Sequence, residues 1–302
     1  MCGRLRIMGQ RLILLIPDKP RQRLLWRRCN WLCVWELMKY RVRQALGQVF
    51  IKDKNIIEKI IRFADLTLDD AVLEIGCGEG WLSRRLSESA GSLTIVELDE
   101  RWLEDTQERL SDRNNVTFVR GDILKVEFEG VSAPTFKIVA NIPYYISAKI
   151  IQLIVAHCDR VSSALLMLQK EFAQKLVAGP GDALYSSLAV YTQFYFKPSL
   201  EFVISKNSFR PVPKIDSAML LLIPRVERPM DIDPAFFSAV VQTSFWGRRK
   251  PLLSCLRKSP FLNLKPGIEA LPFFEGRLAI RGELLSLSEF EQLCRALKPY
   301  TL

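Results

Sequence analysis

Four short apolar runs, each expected to be a buried β-strand, lead into residues that are suited to contact a ligand. The first run, residues 71–75, continues into the glycine-rich segment 76–80, and the later runs lead to Glu97, Asp122 and Asn141. Helical patterns alternate with these runs, which indicates a mostly parallel, doubly wound sheet. Because the carboxyl ends of parallel strands meet at one edge of such a sheet, the sequence predicts an α/β fold with a ligand site there.

The chemistry of these strand ends favours a nucleoside group. Gly76 and Gly78 allow a tight turn and a close approach of the backbone to a ligand at a helix N-terminus. The spacing differs from the dinucleotide pattern Gly-x-Gly-x-x-Gly, because Trp81 occupies the last glycine position, and this weakens the case for a pyrophosphate. Glu97 follows at about the 20-residue distance expected of a carboxylate that binds both ribose hydroxyls. Asp122 can accept a hydrogen bond from an adenine amino group.

The fourth strand end, Asn141-Ile142-Pro143-Tyr144, is suited to hold an exocyclic amine. The Asn carboxamide oxygen and the carbonyl beside the proline can each accept one N–H of a flipped-out base, while the Tyr ring offers a stacking face. The alternative is an ordinary turn with a buried Tyr. The succession of loop signals after consecutive strands favours the base site.

These residues resemble the class I methyltransferases that use S-adenosylmethionine (SAM) and, within them, the rRNA adenine N6-dimethyltransferases. Segments 168–180, 209–218 and 245–250 are similar to the KsgA type, which dimethylates adjacent adenosines of small-subunit rRNA. The resemblance covers residues from about 46 to about 258. It implies a Rossmann-like SAM-methyltransferase sheet with a small helical C-terminal domain, and a methyl-transferring enzyme that acts during ribosome biogenesis.

The resemblance also implies roles for individual residues. The expected cofactor-binding residues are Val49, Ile51, Gly76, Gly78, Glu97, Asp122 and Asn141. The expected catalytic residues are Asn141, Pro143, Tyr144 and Phe209, with Phe209 as the second aromatic face for the base. The expected phosphate contacts are Lys214, Arg248, Arg249 and Lys250, although a charge run is also typical of a solvated basic face.

Two alternatives remain open. Large-subunit rRNA adenine methyltransferases of the antibiotic-resistance type also carry Asn-Ile-Pro-Tyr. The second alternative is a non-catalytic ribosome-assembly factor that keeps the fold. Val49 leaves this alternative open, because relatives have Asn or His at this position, facing the methionine part of SAM. Segment 168–180, segment 214–217 and the long C-terminal region favour small-subunit rRNA as the substrate.

The composition limits the chemistry. His157 is the only histidine, which removes Ser-His-Asp, Cys-His and histidine-zinc sites from consideration. Cys29 and Cys33 form the only close cysteine pair, so we expect no metal. Methyl transfer to adenine N6 needs no dedicated base, since the ammonium formed by attack on the methyl group is acidic.

The formal charge of +10 and a pI near 9.3 indicate a polyanionic partner. We expect this partner to be small-subunit rRNA in an immature ribosomal subunit, although the charge would also suit a membrane surface. The apolar runs 12–16 and 31–35 are far too short to span a bilayer. The sequence therefore predicts a cytoplasmic protein without a membrane partner, expected to be a monomer.

The chain divides into three expected parts. Residues 1–37 are a basic extension, which is either without structural role or an arm that contacts RNA, and Met38 would then begin the functional chain. Residues 38–226 are the expected methyltransferase domain, and residues 227–302 the expected helical RNA-contacting domain.

Overall fold

The computed structural model describes residues 6–8, 11–13, 49–128 and 130–302. Residues 1–45 and residues 46–302 form two separate compact units. In the first, strand β1 (Arg6–Met8) pairs antiparallel with strand β2 (Arg11–Ile13). Apart from this backbone pairing, the expectations for residues 1–37 and for Met38 lie outside the described residues.

The second unit contains strands and helices in alternation. Its strands are β3 (Phe50–Ile51), β4 (Ala71–Ile75), β5 (Ser92–Glu97), β6 (Val116–Arg120), β7 (Phe136–Asn141), β8 (Val161–Gln169), β9 (Phe196–Ile204), β10 (Phe209–Arg210) and β11 (Ser217–Pro224). Its α-helices are α1 (Lys54–Ala64), α2 (Trp81–Ser89), α3 (Glu100–Arg109), α4 (Ile123–Val126), α5 (Ser147–Ala156), α6 (Lys170–Val177), α7 (Ser187–Tyr195), α8 (Pro234–Trp246), α9 (Leu252–Lys258) and α10 (Leu287–Leu297).

The central sheet has seven strands in the order β6-β5-β4-β7-β8-β11-β9. Strands β4 to β8 pair with one another in parallel, while β11 is antiparallel to both β8 and β9. This arrangement confirms the predicted doubly wound, mostly parallel α/β sheet. The chain moves outward from β4 to β6 and then returns to place β7 on the other side of β4. A crevice therefore forms at the carboxyl ends of β4 and β7, which is where open α/β sheets bind ligands.

Alternate residues of the strands point to opposite faces, and both faces are covered. In β8, Leu166 and Leu168 belong to one buried cluster, whereas Leu165 and Met167 belong to another. Helix α1 covers the second face and begins where Asp53 accepts a hydrogen bond from the backbone N–H of Asn55 at 2.9 Å, as expected for an N-cap.

The helices after residue 226 share the first cluster with the sheet. Phe237 of α8 stacks on Phe194 of α7 with ring centroids 3.9 Å apart, and Phe290 of α10 is fully buried in the same cluster. Helix α10 begins with a capping box between Ser286 and Glu289. The helical nature of this region is confirmed, while a domain boundary at 226/227 stays a prediction. No helix in the described ranges is long and apolar enough to cross a membrane.

Candidate active site

The glycine loop after β4 brings the backbone to the crevice. Gly76 and Gly78 have φ values of 78° and 51°, which place them in the left-handed region that favours glycine. A Cβ atom at Gly78 would lie 2.8 Å from Cε1 of Phe50, so even a methyl group would collide with that ring. A Cβ atom at Gly76 would come 4.0 Å from Oε2 of Glu97. Gly76 therefore leaves open the space beside this carboxylate, and Gly78 lets the loop pack closely against Phe50.

Glu97, at the end of β5, is a buried carboxylate that faces the glycine loop. Its side chain accepts a hydrogen bond from the backbone N–H of Asp99 at 2.9 Å. Its Oε2 atom lies 3.5 Å from the backbone nitrogen of Gly78 and 3.7 Å from Sγ of Cys77. One carboxylate oxygen is thus fixed by the following turn, and the other is directed at the loop. A carboxylate held in this way is suited to accept hydrogen bonds from ribose hydroxyls.

Glu74 begins the Glu-x-Gly-x-Gly-x-Gly run and lines the crevice, but sequence reasoning gave it no role in the site. It is 1% exposed in β4, and its Oε2 atom has no hydrogen-bond partner among the described residues. Burial, with the charge of Glu97 adding to it, raises the pKa of Glu74 to about 8, so the carboxyl group is mostly protonated at neutral pH. The available signal was a single acidic residue inside an otherwise apolar strand, two positions before Gly76.

The Asn141 side chain is held from across the crevice. Its Nδ2 atom donates a hydrogen bond of 3.1 Å to the backbone carbonyl of Val49, just before β3. The carboxamide oxygen is then the group left to accept a hydrogen bond from a ligand. Behind it, the backbone N–H of Ile142 donates to the carbonyl of Met167 at 3.3 Å, which ties the loop to β8.

Tyr144 follows in a short 3-10 helix, Tyr144–Ile146, and is half-buried. Its hydroxyl group lies 2.7 Å from Oγ of Ser217, which is fully buried at the start of β11. Burial raises the pKa of the Tyr144 hydroxyl above its usual value, so the neutral phenol persists over the working pH range. The ring is therefore fixed at its outer end by a hydrogen bond and at its inner end by the backbone.

Two adjoining clefts result. The first includes most of the predicted cofactor and catalytic residues: Val49, Ile51, Gly76, Gly78, Glu97, Asn141, Pro143 and Tyr144. The second contains Asp122 together with Tyr145 and Lys149. The two clefts share Gly76, Glu97 and Pro143 in their walls. Asp122 also caps α4, because its Oδ1 atom accepts a hydrogen bond from the backbone N–H of Leu124 at 3.0 Å.

Phe209 does not line either cleft. Its ring is fully buried, and in β10 it pairs with Ile51 of β3, behind the wall of the first cleft. Its role as the second stacking face stays a prediction, and it requires the ring to become exposed.

The four side chains predicted to contact phosphates differ in whether other groups of the protein already bind them. All four side chains, Lys214, Arg248, Arg249 and Lys250, are exposed. However, Nε of Arg248 is 2.5 Å from Oε2 of Glu283, and its Nη2 donates to the carbonyl of Ala183 at 2.7 Å. Arg248 is thus occupied within the protein, whereas the side chains of Arg249 and Lys250 have no hydrogen bond or ion pair with the described residues.

The chemistry of the cleft walls fits SAM. The ribose hydroxyls, the adenine amine and the α-ammonium group of SAM are hydrogen-bond donors, and the clefts present acceptors at Glu97, Asp122 and Glu74. The open space beside Gly76 lets such a ligand reach the Glu97 carboxylate. Across the described ranges, no group of three or more His, Cys, Asp or Glu residues is placed to hold a metal ion.

Comparisons with known proteins agree with this geometry. A family model described as Ribosomal RNA adenine dimethylase matches residues 39–261. Ribosomal RNA small subunit methyltransferase A of Geobacter sulfurreducens is 36% identical over 266 residues, which cover 85% of this chain and 95% of that protein. The protein of the same name from Listeria monocytogenes is 38% identical over 265 residues, covering 83% and 89%.

Solved structures give the same result. A dimethyladenosine transferase from Plasmodium falciparum has a TM-score of 0.73 at 27% identity, with 83% of this chain and 98% of that chain covered. The 23S rRNA methyltransferase ErmE has a TM-score of 0.65 at 29% identity, with 82% and 99% covered.

Proposed function

Because the chain belongs to the ribosomal RNA adenine dimethylase family, we propose that it transfers methyl groups from SAM to N6 of adenosines in small-subunit (16S) rRNA. As a member of that family it is an rRNA adenine dimethyltransferase. The reaction we propose dimethylates two adjacent adenosines during ribosome biogenesis. The small subunit is favoured because the curated relatives at 36% and 38% identity are named as small subunit methyltransferases.

One observation carries the proposal: the Asn141 side chain is held by the Val49 carbonyl in the same cleft that contains Glu97 and Tyr144. Since the amide nitrogen of Asn141 is occupied, its oxygen is left to accept one N–H of adenine N6. The Pro143 carbonyl already accepts a hydrogen bond from the backbone N–H of Ile146 at 3.2 Å, so the Ile142 carbonyl is our proposed second acceptor.

These acceptors address the weakness of adenine N6 as a nucleophile. The N6 lone pair is delocalised into the ring, and acceptors on both N–H bonds favour a more pyramidal nitrogen with its lone pair directed outward. When bound, SAM supplies an electrophilic methyl group on its sulfonium. The Asn141 and Ile142 oxygens position the nitrogen, and the proton is then lost to water without a dedicated base. His157 lines neither cleft and contacts Glu127 instead, which agrees with this absence of base catalysis.

Aromatic groups complete the proposed base site. Tyr144 stacks on the flipped-out adenine, and Ser217 keeps its ring in one orientation. Phe209 is our proposed second face, and RNA binding would have to expose it. Gly76, Gly78 and Glu97 hold the ribose and methionine parts of SAM, while Asp122 accepts from its adenine amine.

The assembly-factor alternative rests on Val49, and the structure gives this residue a backbone role. Asn141 binds the carbonyl of Val49, which any residue at that position would supply. The catalytic amide can therefore be held without the polar side chain of relatives. We propose catalysis with a SAM affinity lower than in relatives that carry Asn or His there.

We further propose that the substrate is an immature small ribosomal subunit, that the enzyme acts as a monomer in the cytoplasm, and that it needs no metal. The RNA contacts outside the clefts are proposed to come from Lys214, Arg249 and Lys250, with Arg248 in a supporting role.

The test is to incubate the purified protein and labelled SAM with immature small or large subunits, and then to map the modified nucleotide. Label in small-subunit rRNA is expected. Label confined to large-subunit rRNA would move the protein to the antibiotic-resistance type. SAM binding without transfer to either particle would make the assembly factor the better account.

A further inference from the structure

We propose that Trp246, together with Arg249 and Lys250, forms a platform that stacks an unpaired rRNA base and binds the phosphates beside it. We call these three residues the Trp246 platform. This inference rests on the proposed function and adds a base-stacking residue to the RNA contacts that Arg249 and Lys250 are proposed to make outside both clefts.

The two neighbouring aromatic residues at the end of α8 have different environments. Phe245 packs inward, with its ring centroid 5.7 Å from that of Tyr185 and 6.1 Å from that of Phe290. Trp246, the last residue of α8, remains 46% exposed. The core is thus closed by Phe245, and the larger indole ring is left at the surface, where its planar face can meet a ligand.

A tight turn brings a cation to this ring. The backbone N–H of Lys250 donates to the carbonyl of Gly247 at 2.7 Å, which reverses the chain after α8. Lys250 Nζ consequently lies 5.4 Å from the centroid of the Trp246 ring. A Cβ atom at Gly247 would lie 2.8 Å from Sγ of Cys255, so the turn is packed closely against α9. The relative position of the indole and the ammonium group is therefore set by the backbone.

The basic side chains of this turn differ in whether they form ion pairs within the protein. Arg248 is bound to Glu283 and to the Ala183 carbonyl, and Glu283 is also 2.9 Å from Arg281. The carboxylate of Glu283 is thus neutralised within the protein. Arg249 and Lys250 have no ion pair with the described residues, so the surface around Trp246 keeps two uncompensated positive charges.

An exposed aromatic face beside cations matches single-stranded RNA. Aromatic side chains stack on unpaired bases of any sequence, and neighbouring cations bind the phosphates. A duplex offers phosphates but no open base face. The platform therefore selects for an unpaired nucleotide in the rRNA, at a distance from the target adenosine.

Stacking and phosphate binding respond differently to salt, and this separates the roles of the three residues. Each phosphate contact contributes to the slope of log K against log salt, whereas a stacking contact between neutral rings does not. The measurement is the affinity of the protein for immature small subunits, and for an oligoadenylate octamer, at a series of salt concentrations. An RNA duplex of equal charge serves as the comparison ligand.

Trp246→Ala should weaken binding to the subunit and the octamer about tenfold with the salt slope unchanged, and should leave binding to the duplex unaffected. Trp246→Phe should keep most of the affinity, because it retains a planar ring. The double variant Arg249→Ala/Lys250→Ala should lower the slope by about 1.4 to 1.8 units. Arg248→Ala is the matched control. It should lower thermal stability, and it should change the salt slope less than the double variant does.

The inference fails if Trp246→Ala and Trp246→Leu, which keeps an apolar side chain, both bind the octamer as tightly as the wild type. An equal loss of duplex binding in Trp246→Ala would also overturn it, because that ligand has no unpaired base. Failure of the proposed function is a separate outcome: the wild type would then transfer no methyl group to small-subunit rRNA, whatever Trp246 does.

Discussion

The Nδ2 atom of Asn141 lies 3.1 Å from the backbone carbonyl oxygen of Val49, so a residue just before β3 orients the amide at the end of β7. The contact joins positions 92 residues apart in the chain. It explains how a side chain that ends a strand can present its oxygen, and not its nitrogen, to a ligand in the cleft. Since the acceptor is a main-chain carbonyl, the contact tolerates the valine.

Asn141→Ala should abolish methyl transfer while leaving SAM affinity within a few fold, because we propose that the lost oxygen binds the target base. Single-turnover transfer and SAM titration by calorimetry measure the two effects separately. Asn207→Ala, at an exposed position outside both clefts, is the matched control and should behave as the wild type. A large loss of SAM affinity in Asn141→Ala would show that the amide serves the cofactor instead.

Glu97→Ala should weaken SAM binding about tenfold to a hundredfold, since a charge-assisted hydrogen bond contributes roughly 1.5–3 kcal/mol. Glu100→Ala is the control, because Glu100 is an exposed carboxylate three residues later that pairs with Arg120. Calorimetric titration with SAM distinguishes the two. Equal affinity in Glu97→Ala and the wild type would remove Glu97 from the cofactor site.

Ser217→Ala and Tyr144→Phe should each lower the rate of methyl transfer several-fold without changing SAM affinity, because each breaks the same 2.7 Å hydrogen bond. The double variant should lose no more than either single variant, since the two residues act as one unit. Tyr144→Ala should cost more, on the order of 1–3 kcal/mol, through lost stacking. If the rate reductions of the two single variants multiplied in the double variant, Ser217 would not act through Tyr144.

The raised pKa of Glu74 predicts that the free energy of unfolding depends on pH. Its pKa is raised from the ordinary value of 4.5 to about 8 in the folded protein, so between these pH values the folded state holds a proton that the unfolded state has lost. The stabilising contribution is complete below about pH 4.5 and is lost as the pH rises to about 8, by at most about 1.4 kcal/mol per pH unit.

Glu74→Gln keeps the shape and removes the titration, so its urea midpoint should change less between pH 5.5 and pH 8 than that of the wild type. Glu171→Gln, at an exposed position, is the control and should keep the wild-type pH dependence. Identical pH profiles for Glu74→Gln and the wild type would show that the carboxyl group titrates normally in the fold.

The sequence predicted the sheet because its strands are local patterns. The apolar run 71–75 coincides with β4, and the runs that lead to Glu97 and Asn141 coincide with β5 and β7 to within two residues. Placing ligand residues at the carboxyl ends of these strands follows from the parallel topology, so the glycine loop, Glu97 and Asn141 could be expected together in one crevice.

Other features depend on contacts between distant residues, and no local pattern reveals them. The Arg248 side chain is held by Glu283, so a position read as a phosphate contact serves first to join two parts of the C-terminal region. Phe209 is buried because β10 pairs with β3, far earlier in the chain. The protonated state of Glu74 arises from burial between the sheet and α2, and it becomes visible only when the side chain is placed.

The most direct test of the proposed chemistry is mass spectrometry of nucleosides from small-subunit rRNA, after immature subunits have been incubated with SAM and either the wild-type enzyme or Asn141→Ala. The wild type should produce N6,N6-dimethyladenosine, and Asn141→Ala should leave adenosine unmodified. Methyl groups on another nucleoside, or dimethyladenosine formed equally by Asn141→Ala, would contradict a reaction in which Asn141 and the Ile142 carbonyl hold the adenine amine.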